Sequence, residues 1–445
     1  KPRPIVPRRR VRGVVERIDY RGRILVPLDE DAARRAIDEL AEAGVEALSV
    51  CLLWSPRNPV HEQALARIIE REHPEIDVSL SSEVCPLVGE YERAATTVID
   101  SFVRRLSAAH LTSLERSLRA RGFAGALRLM QAGGGLMPIE SASRTPVSML
   151  SSGPAGGVIG AAALGQRLGH DRILTADVGG TSFDVSIVRN GRGGFASAPV
   201  VGRHPVFVPM LDVRSIGSGG GSIARVDPRS GRLEVGPQSA GAEPGPACYG
   251  RGGELPTLTD ADVVLGRIDP EYFLGGAMRL HRQRAMEAIE RHVAKPLGMG
   301  VVEAAAGIVR VADSDMASLA RNMTVGEGHD PAGFMIYAYG GLSGLHVTSI
   351  ARTLGARGVL VPPTASVFSA FGICSSDCLH IAEESVLLMP PWDVEAMVQR
   401  LERLSEEVAV QLESEGATRA TMSIEHSLDL RYRGQVHEVG VPLLV

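Results

Sequence analysis

The chain has 445 residues, 44% of them apolar, enough for two or three domains with sizeable buried cores. Its formal net charge of −5, from 47 basic and 52 acidic side chains, gives no global reason to expect nucleic-acid binding, and no apolar run approaches the roughly 18 residues that cross a bilayer. Five scattered cysteines (Cys51, Cys85, Cys248, Cys374, Cys378) are odd in number and suit a reducing compartment rather than a disulfide framework; with no signal-peptide pattern at the start, a cytoplasmic protein is expected.

The basic run Arg8 to Arg10 reads as a solvated surface stretch. An amphipathic helix is predicted over 29–43, introduced by acidic residues, and a near-continuous apolar strand over 45–54. A second helix over 59–71 and a second strand over 76–80 follow, then a long helix over 91–121 and a strand over 126–131 that ends at Gly133, Gly134 and Gly135. Alternating strand and helix implies a layered α/β unit. A glycine cluster beyond a strand end is either a cleft wall or a plain loop.

A second unit begins near Pro146. Residues 154–168 (PAGGVIGAAALGQRL) read as a helix whose glycine-rich start either offers free N–H groups to a phosphate or packs tightly on a neighbour. The most informative segment follows: a buried strand over 172–176, then DVGGTSFDVSIV over 177–188, a predicted β-hairpin. Gly179 and Gly180 let the backbone approach a ligand and point N–H groups at an anion, Thr181 and Ser182 add hydroxyls, and Asp177 and Asp184 suit a magnesium ion or a water. A D-x-G-G-T string alone is more often an ordinary tight turn, and an aspartate beside one often caps its own backbone. Here it has company: 206–213 leads into the Gly217 to Gly221 turn, in which Gly217, Gly219, Gly220 and Gly221 are candidate phosphate contacts, and the strand 334–339 enters Gly340, Gly341 and Ser343 before a helix over 345–354. Helices are also predicted over 281–294 and 301–323, and a strand over 359–362 precedes a short helix toward Leu379. The amphipathic helix 393–414 opens a third unit, followed by strand-like stretches 420–432 and 435–445. The standard phosphate-loop and dinucleotide fingerprints do not occur. Lys1 at the start and a bare sheet edge at the end lead us to expect further protein on both sides.

Taken together, SSGPAGGVIGA (151–161), DVGGTSFDVSIV (177–188), IGSGGGSIA (216–224), VGPQSAGAEPGPACYG (235–250), PTLTDADVVLGRIDP (256–270) and GHDPAGFMIYAYGGLSGLH (328–346) resemble the ATP-dependent hydantoinase A and 5-oxoprolinase family, which includes acetone carboxylase subunits. The resemblance implies an α/β, actin-like or hexokinase-type fold with ribonuclease-H-like domains: 1–145 the remainder of the first domain, 146–390 the second domain with the phosphate and adenosine motifs, and 391–445 the start of a truncated C-terminal domain. It also implies ATP and magnesium as cofactors, a cyclic amide (hydantoin, 5-oxoproline or a related lactam) as substrate, phosphorylation of the amide oxygen as the chemistry, and a hydantoinase B-type partner subunit or fused domain in an oligomer. The hairpin at 177–188 is then the second-domain phosphate loop, with Asp184 first and Asp177 second as catalytic and metal-holding carboxylates, and 339–346 cradles adenosine. The family's first DxGGT hairpin would align upstream of Lys1, so this stretch is expected to be inactive alone. The family also often carries Asn where Gly133 stands and Gly-Pro where Ser343-Gly344 stands.

Thr181 and Ser182 read as phosphate donors rather than nucleophiles, since no histidine adjoins them in sequence. Thr259, Asp260 and Asp262 either cap the apolar stretch after them or reach the cleft. His329 with Asp330, Asp377 with His380, and Cys374 with Cys378 are weaker metal candidates. A ketone carboxylase subunit, or a sugar-kinase-like or chaperone-like ATPase of the same fold, is the alternative function.

Overall fold

The computed structural model describes residues 3–386, 388–435 and 438–443. Helix α1 (Glu30–Glu42) starts where Asp29 accepts the Ala32 N–H at 2.9 Å, leads to strand β1 (Ala47–Val50), and packs beside helix α2 (Val60–Glu72); strand β2 (Asp77–Leu80) pairs parallel with β1. The predicted strand over 45–54 is cut short at Val50. Its apolar residues beyond that point are half-buried, and the Leu52 backbone is held by charged side chains: Glu62 accepts the Leu52 N–H at 2.8 Å and Arg93 donates to the Leu52 carbonyl at 2.9 Å. A ladder cannot form where side chains have already taken the ladder's groups.

Helix α3 (Glu90–Ala120) is followed by β3 (Arg128–Met130) and β4 (Leu136–Pro138), which form an antiparallel hairpin. The glycine cluster at 133–135 is therefore a hairpin turn, with Gly134 at φ +90° facing Leu211 and Ile159, and Gly135 against Leu379.

Helix α4 (Ser152–Leu168) ends at Gly169 in the left-handed region, a standard helix stop. Strands β5 (Arg172–Val178) and β6 (Phe183–Arg189) form the expected hairpin, and β7 (Val213–Ile216) lies antiparallel on the far side of β6. A separate hairpin, β8 (Ser222–Val226) with β9 (Leu233–Ser239), leads to helices α5 (Leu258–Val264), α6 (Arg282–Ile289, continuing as a wider turn through Ala294) and α7 (Val301–Gly326). Then come β10 (Met335–Tyr339), α8 (Ser343–Leu354), β11 (Gly358–Leu360) and α9 (Phe368–Cys374). Helix α10 (Val394–Ser414), capped by Asp393, and the antiparallel pair β12 (His426–Leu430) and β13 (Val439–Leu443) close the chain. The expected strands over 420–432 and 435–445 are shorter than anticipated; residues 436, 437, 444 and 445 lie outside the described residues.

The central sheet runs β7-β6-β5-β10-β11, with Arg192–Gly193 paired at the edge of β6. In chain order these five strands are third, second, first, fourth and fifth, with the second antiparallel and the rest parallel. Alternate residues of β5 enter opposite layers: Leu174, Ala176 and Val178 join the core of α5 to α8, while Ile173 joins Val158 and Ala161 of α4 and Phe368 of α9. Among the described residues no helix is long and apolar enough to cross a membrane.

The glycines of α4 serve packing. A Cβ on Gly157 would stand 2.5 Å from the Tyr339 hydroxyl, one on Gly160 3.1 Å from the Gly372 Cα, and one on Gly372 1.7 Å from the Gly156 carbonyl oxygen. Helices α4 and α9 thus touch backbone to backbone. Gly372→Ala should destabilise the protein by about 2–3 kcal/mol in urea unfolding, the upper range for overpacking; an unchanged midpoint would contradict backbone contact.

Candidate functional site

The register of the central sheet lines up four polar residues in one row near the carboxyl ends of its parallel strands. Ser215 of β7 stands opposite Asp184 of β6, Asp184 opposite Asp177 of β5, and Asp177 opposite Tyr339 of β10. Ligands of open α/β sheets collect at such ends. The row faces the α4 side, since Asp177 has the same parity as Ile173, and the Tyr339 hydroxyl reaches α4 at Gly157.

Three glycine turns meet at this row. The hairpin turn 179–182 is closed by the Gly179 N–H donating to the Ser182 carbonyl at 3.0 Å. The second turn grips it: the Gly220 N–H donates to the Gly179 carbonyl at 3.0 Å and the Gly221 N–H to the Gly180 carbonyl at 2.6 Å. A Cβ on Gly219 would lie 2.7 Å from the Thr181 nitrogen and 2.8 Å from the Gly179 oxygen. The third turn closes the other side, where the Leu342 N–H donates to the Val178 carbonyl at 3.1 Å and Gly340, at φ +84°, would place a Cβ 2.2 Å from Asp177 Oδ1. No residue but glycine satisfies both the dihedral and the space there.

The sequence-predicted residues divide by what they can offer. Among the described residues no acceptor faces the N–H groups of Gly180, Thr181 and Ser182, Thr181 is exposed, and the space beside Gly180 and Gly341 is open, as it is around Gly344. Successive free N–H groups on a turn form an anion-binding nest. The N–H groups of Gly219, Gly220 and Gly221 are already bonded, the first to the Ser222 hydroxyl at 2.8 Å, and Gly217 packs on Pro237. Gly219, Gly220 and Gly221 hold the hairpin turn in place, while Gly217 braces their own turn on Pro237. Ser343 is buried: its hydroxyl accepts the Val178 N–H at 2.7 Å and lies against the carbonyls of Ala176, at 2.8 Å, and Tyr339. It ties β5 to the start of α8. Ser182 approaches Asp184 Oδ2 at 3.4 Å, and Ser215 donates to Asp184 Oδ1.

Asp177 and Asp184 are two adjacent carboxylates with no basic side chain in ion-pair contact among the described residues. Burial, and then the charge of Asp184, push the Asp177 carboxyl up to about 6. Burial also raises Asp184, moderated by the hydroxyls of Ser215 and Ser182. A half-buried, uncompensated carboxylate pair beside a free-amide nest fits a hard divalent cation shared with phosphate oxygens, because such ions reach the protein through one or two carboxylates. No group of three or more His, Cys, Asp or Glu ligands occurs among the described residues.

Several of the other candidates have structural partners, while Cys374 is exposed. Asp260 accepts N–H groups of Cys248 at 2.7 Å and Thr257 at 2.8 Å in a capping box. Asp330 caps a short turn through Ala332, His380 pairs with Glu415 at 2.6 Å, and Arg128 donates to Cys378. Thr259 joins the site through its backbone, its N–H donating to the Gly220 carbonyl at 2.8 Å. Ser215 and Tyr339 were not singled out from sequence; strand alternation around the hairpin was the signal that would have found them.

A family model described as hydantoinase/oxoprolinase matches residues 93–382, and one for its N-terminal region matches residues 2–73. The chain belongs to the hydantoinase/oxoprolinase family. It is similar over nearly its whole length to the caprolactamase subunit alpha of Pseudomonas jessenii, at 36% identity over 99% of this chain and 64% of that protein. It is 38% identical to the acetophenone carboxylase gamma subunit of Aromatoleum aromaticum, over 100% of this chain and 62% of that one. The crystal structure of the ATP-dependent caprolactamase from Pseudomonas jessenii superposes with a TM-score of 0.84 at 35% identity, covering 100% of this chain and 65% of that chain. The family member described here thus spans under two thirds of the length of these relatives.

The site carries a stability signature. A carboxyl raised to about 6 binds a proton in the folded state that the unfolded chain, near 4, has released, so stability falls as pH rises from about 4 to 6 and the deficit persists above. Asp177→Asn should therefore be more stable than the parent at pH 7, by about 1–3 kcal/mol, with the gain vanishing at pH 4. Chemical unfolding at the two pH values checks this, and a gain equal at both would contradict it.

Proposed function

We propose that this chain is the nucleotide-binding part of an ATP-dependent enzyme that opens a cyclic amide by phosphorylating its amide oxygen. The observation that carries the reading is the convergence of three glycine turns on the Asp177–Asp184 pair. The sheet order third-second-first-fourth-fifth, with only the second strand antiparallel, supports an actin-like, ribonuclease-H-like domain over 146–390. Residues 1–145 would then be the rest of a first such domain and 391–445 the start of a third unit.

In this reading the free N–H groups of Gly180, Thr181 and Ser182 bind the β- and γ-phosphates, and the Thr181 hydroxyl adds a donor. Asp177 and Asp184 hold the magnesium ion or orient a water, while Ser215 and Ser182 fix the Asp184 carboxylate. A divalent cation there would supply charge neutralisation for the phosphates. Gly340, Gly341 and the start of α8 border adenosine, with Ser343 locking that turn to β5. The protein's contribution is positioning and electrostatics, as is general for phosphoryl transfer. With its oxygen phosphorylated, the amide carbon is open to addition of water; the tetrahedral adduct expels the ring nitrogen as an amine, which takes up a proton, and a second water releases phosphate from the open-chain acyl phosphate.

The names of the relatives as subunits alpha and gamma support a partner, proposed as a hydantoinase B-type chain. The 38% identity to a carboxylase subunit supports a second reading, in which phosphorylation activates a ketone or bicarbonate.

With its partner subunit present, the protein should release ADP in response to 5-oxoproline, a hydantoin or caprolactam, and Asp184→Asn should lower kcat by about 100- to 1,000-fold, the range for losing one stabilising group. Turnover requiring bicarbonate and a ketone would favour the carboxylase. Turnover indifferent to any of these would contradict both.

A further inference from the structure

Behind the glycine turns lies a charged cluster that the proposed chemistry does not use. His346, on the second turn of α8, is completely buried. Its Nδ1 lies 2.8 Å from Asp313 Oδ1 of α7, and its Nε2 lies 3.3 Å from Asp262 Oδ2 of α5. Asp262 is itself completely buried, and neither of its oxygens has a hydrogen-bond donor among the described residues. Only the guanidinium of Arg267, 3.6 Å from Oδ1, also approaches it, and Arg267 donates to the Leu345 carbonyl at 3.3 Å as well.

A neutral imidazole has one N–H and one lone pair. Placed between two carboxylates, it would turn its lone pair toward one of them and leave a buried negative charge uncompensated, a state that is strongly unfavourable. The imidazolium hydrogen-bonds Asp313 through Nδ1 and brings its positive charge within 3.3 Å of Asp262 on the other side, a charge contact without hydrogen-bond geometry. With His346 charged, Asp262, Asp313 and Arg267 bring the cluster to neutrality.

The three helices joined here each support a different wall of the site. Helix α5 carries Thr259, whose N–H holds the Gly220 carbonyl. Helix α8 grows directly out of Gly340 to Leu342. Helix α7 packs across β6 and β7, the strands that bear Asp184 and Ser215. We propose that His346, as an imidazolium clamped between Asp262 and Asp313, is a positioning residue that holds the phosphate-side and adenosine-side turns in register for the nucleotide. The inference rests on the nucleotide reading for its readout, but the charge state of His346 does not.

The electrostatics agree with the geometry: burial by itself would lower the histidine, yet Asp262 and Asp313 hold it up at about 9. The other charged groups near the cluster, Arg310 of α7 and Arg352 of α8, line with Asp313 and Arg267 an open groove of about 540 Å³ on the outer side. They add positive potential and leave Asp262 and Asp313 as the only acidic groups in ion-pair contact with the ring among the described residues. A histidine raised from 6.5 to about 9 contributes stability that is complete below pH 6.5 and lost as pH rises through about 9.

The test is the affinity of magnesium-ATP for the full-length protein with its partner, measured by calorimetry from pH 7 to 10, above the range in which Asp177 and the nucleotide phosphates titrate. Wild type should weaken by about ten-fold across a limb centred near pH 9, His346→Gln should be weak and flat over the same range, and Asp313→Asn should move the limb to lower pH. Asp313→Asn also serves if His346→Gln does not fold. A limb that persists unmoved in both variants, or wild-type binding that stays constant to pH 10, would overturn the proposal. Absence of ATP binding at every pH would sink the nucleotide reading instead. In that event, thermal unfolding decides the imidazolium alone: the difference in Tm between wild type and Asp313→Asn should narrow between pH 7 and 10, and a constant difference refutes it.

Discussion

The structure turns on backbone packed against backbone at positions where a side chain has no room. Gly219 presses on the Thr181 and Ser182 nitrogens, Gly340 on the Asp177 carboxylate, and Gly221 on the Gly180 carbonyl. These contacts fix a short hairpin turn and leave the Gly180, Thr181 and Ser182 N–H groups without a backbone partner. Glycine costs backbone entropy on folding. Here that cost is offset by a lattice of inter-turn hydrogen bonds and by one of the best-buried strands in the protein, β5.

That rigid arrangement is what permits two carboxylates to stand side by side with no basic side chain in ion-pair contact among the described residues. Left to relax, Asp177 and Asp184 would separate or recruit an arginine, and the chain has plenty of those. The sheet register forbids separation, because cross-strand neighbours are held about 5 Å apart by the ladder itself. The site thus keeps an unfavourable charge pair at the expense of stability, a condition that a bound divalent ion would relieve. Strain of this kind is a mark of functional positions.

Much of this was legible in the sequence because it is local. The hairpin at 177–188 announces itself by strand alternation around a Gly-Gly turn, and the helices expected over 29–43 and 393–414 by their amphipathic spacing. What failed to show has one common cause, contacts between residues remote in sequence. The strand expected through Trp54 stops because Glu62 and Arg93 seize its backbone. The glycines of α4 read equally well as a phosphate-binding helix start or as a packing surface, and only the placement of α9 against Gly156 and Gly160, and of Tyr339 against Gly157, decides for packing. Ser343 looked like a ligand contact and proves to be a buried tie, and the Gly217 to Gly221 turn supports the hairpin instead of opening its own N–H groups. Asp262, Asp313 and His346 carry no mutual signal at all until three helices bring them together.

The central claim is that these turns and carboxylates embrace one triphosphate. Its most direct test is a structure of the protein bound to magnesium and a non-hydrolysable ATP analogue. The account predicts phosphate oxygens within hydrogen-bond distance of the Gly180 to Ser182 N–H groups and the cation against Asp177 or Asp184. Nucleotide density away from this row, with the hairpin turn unengaged, would contradict it.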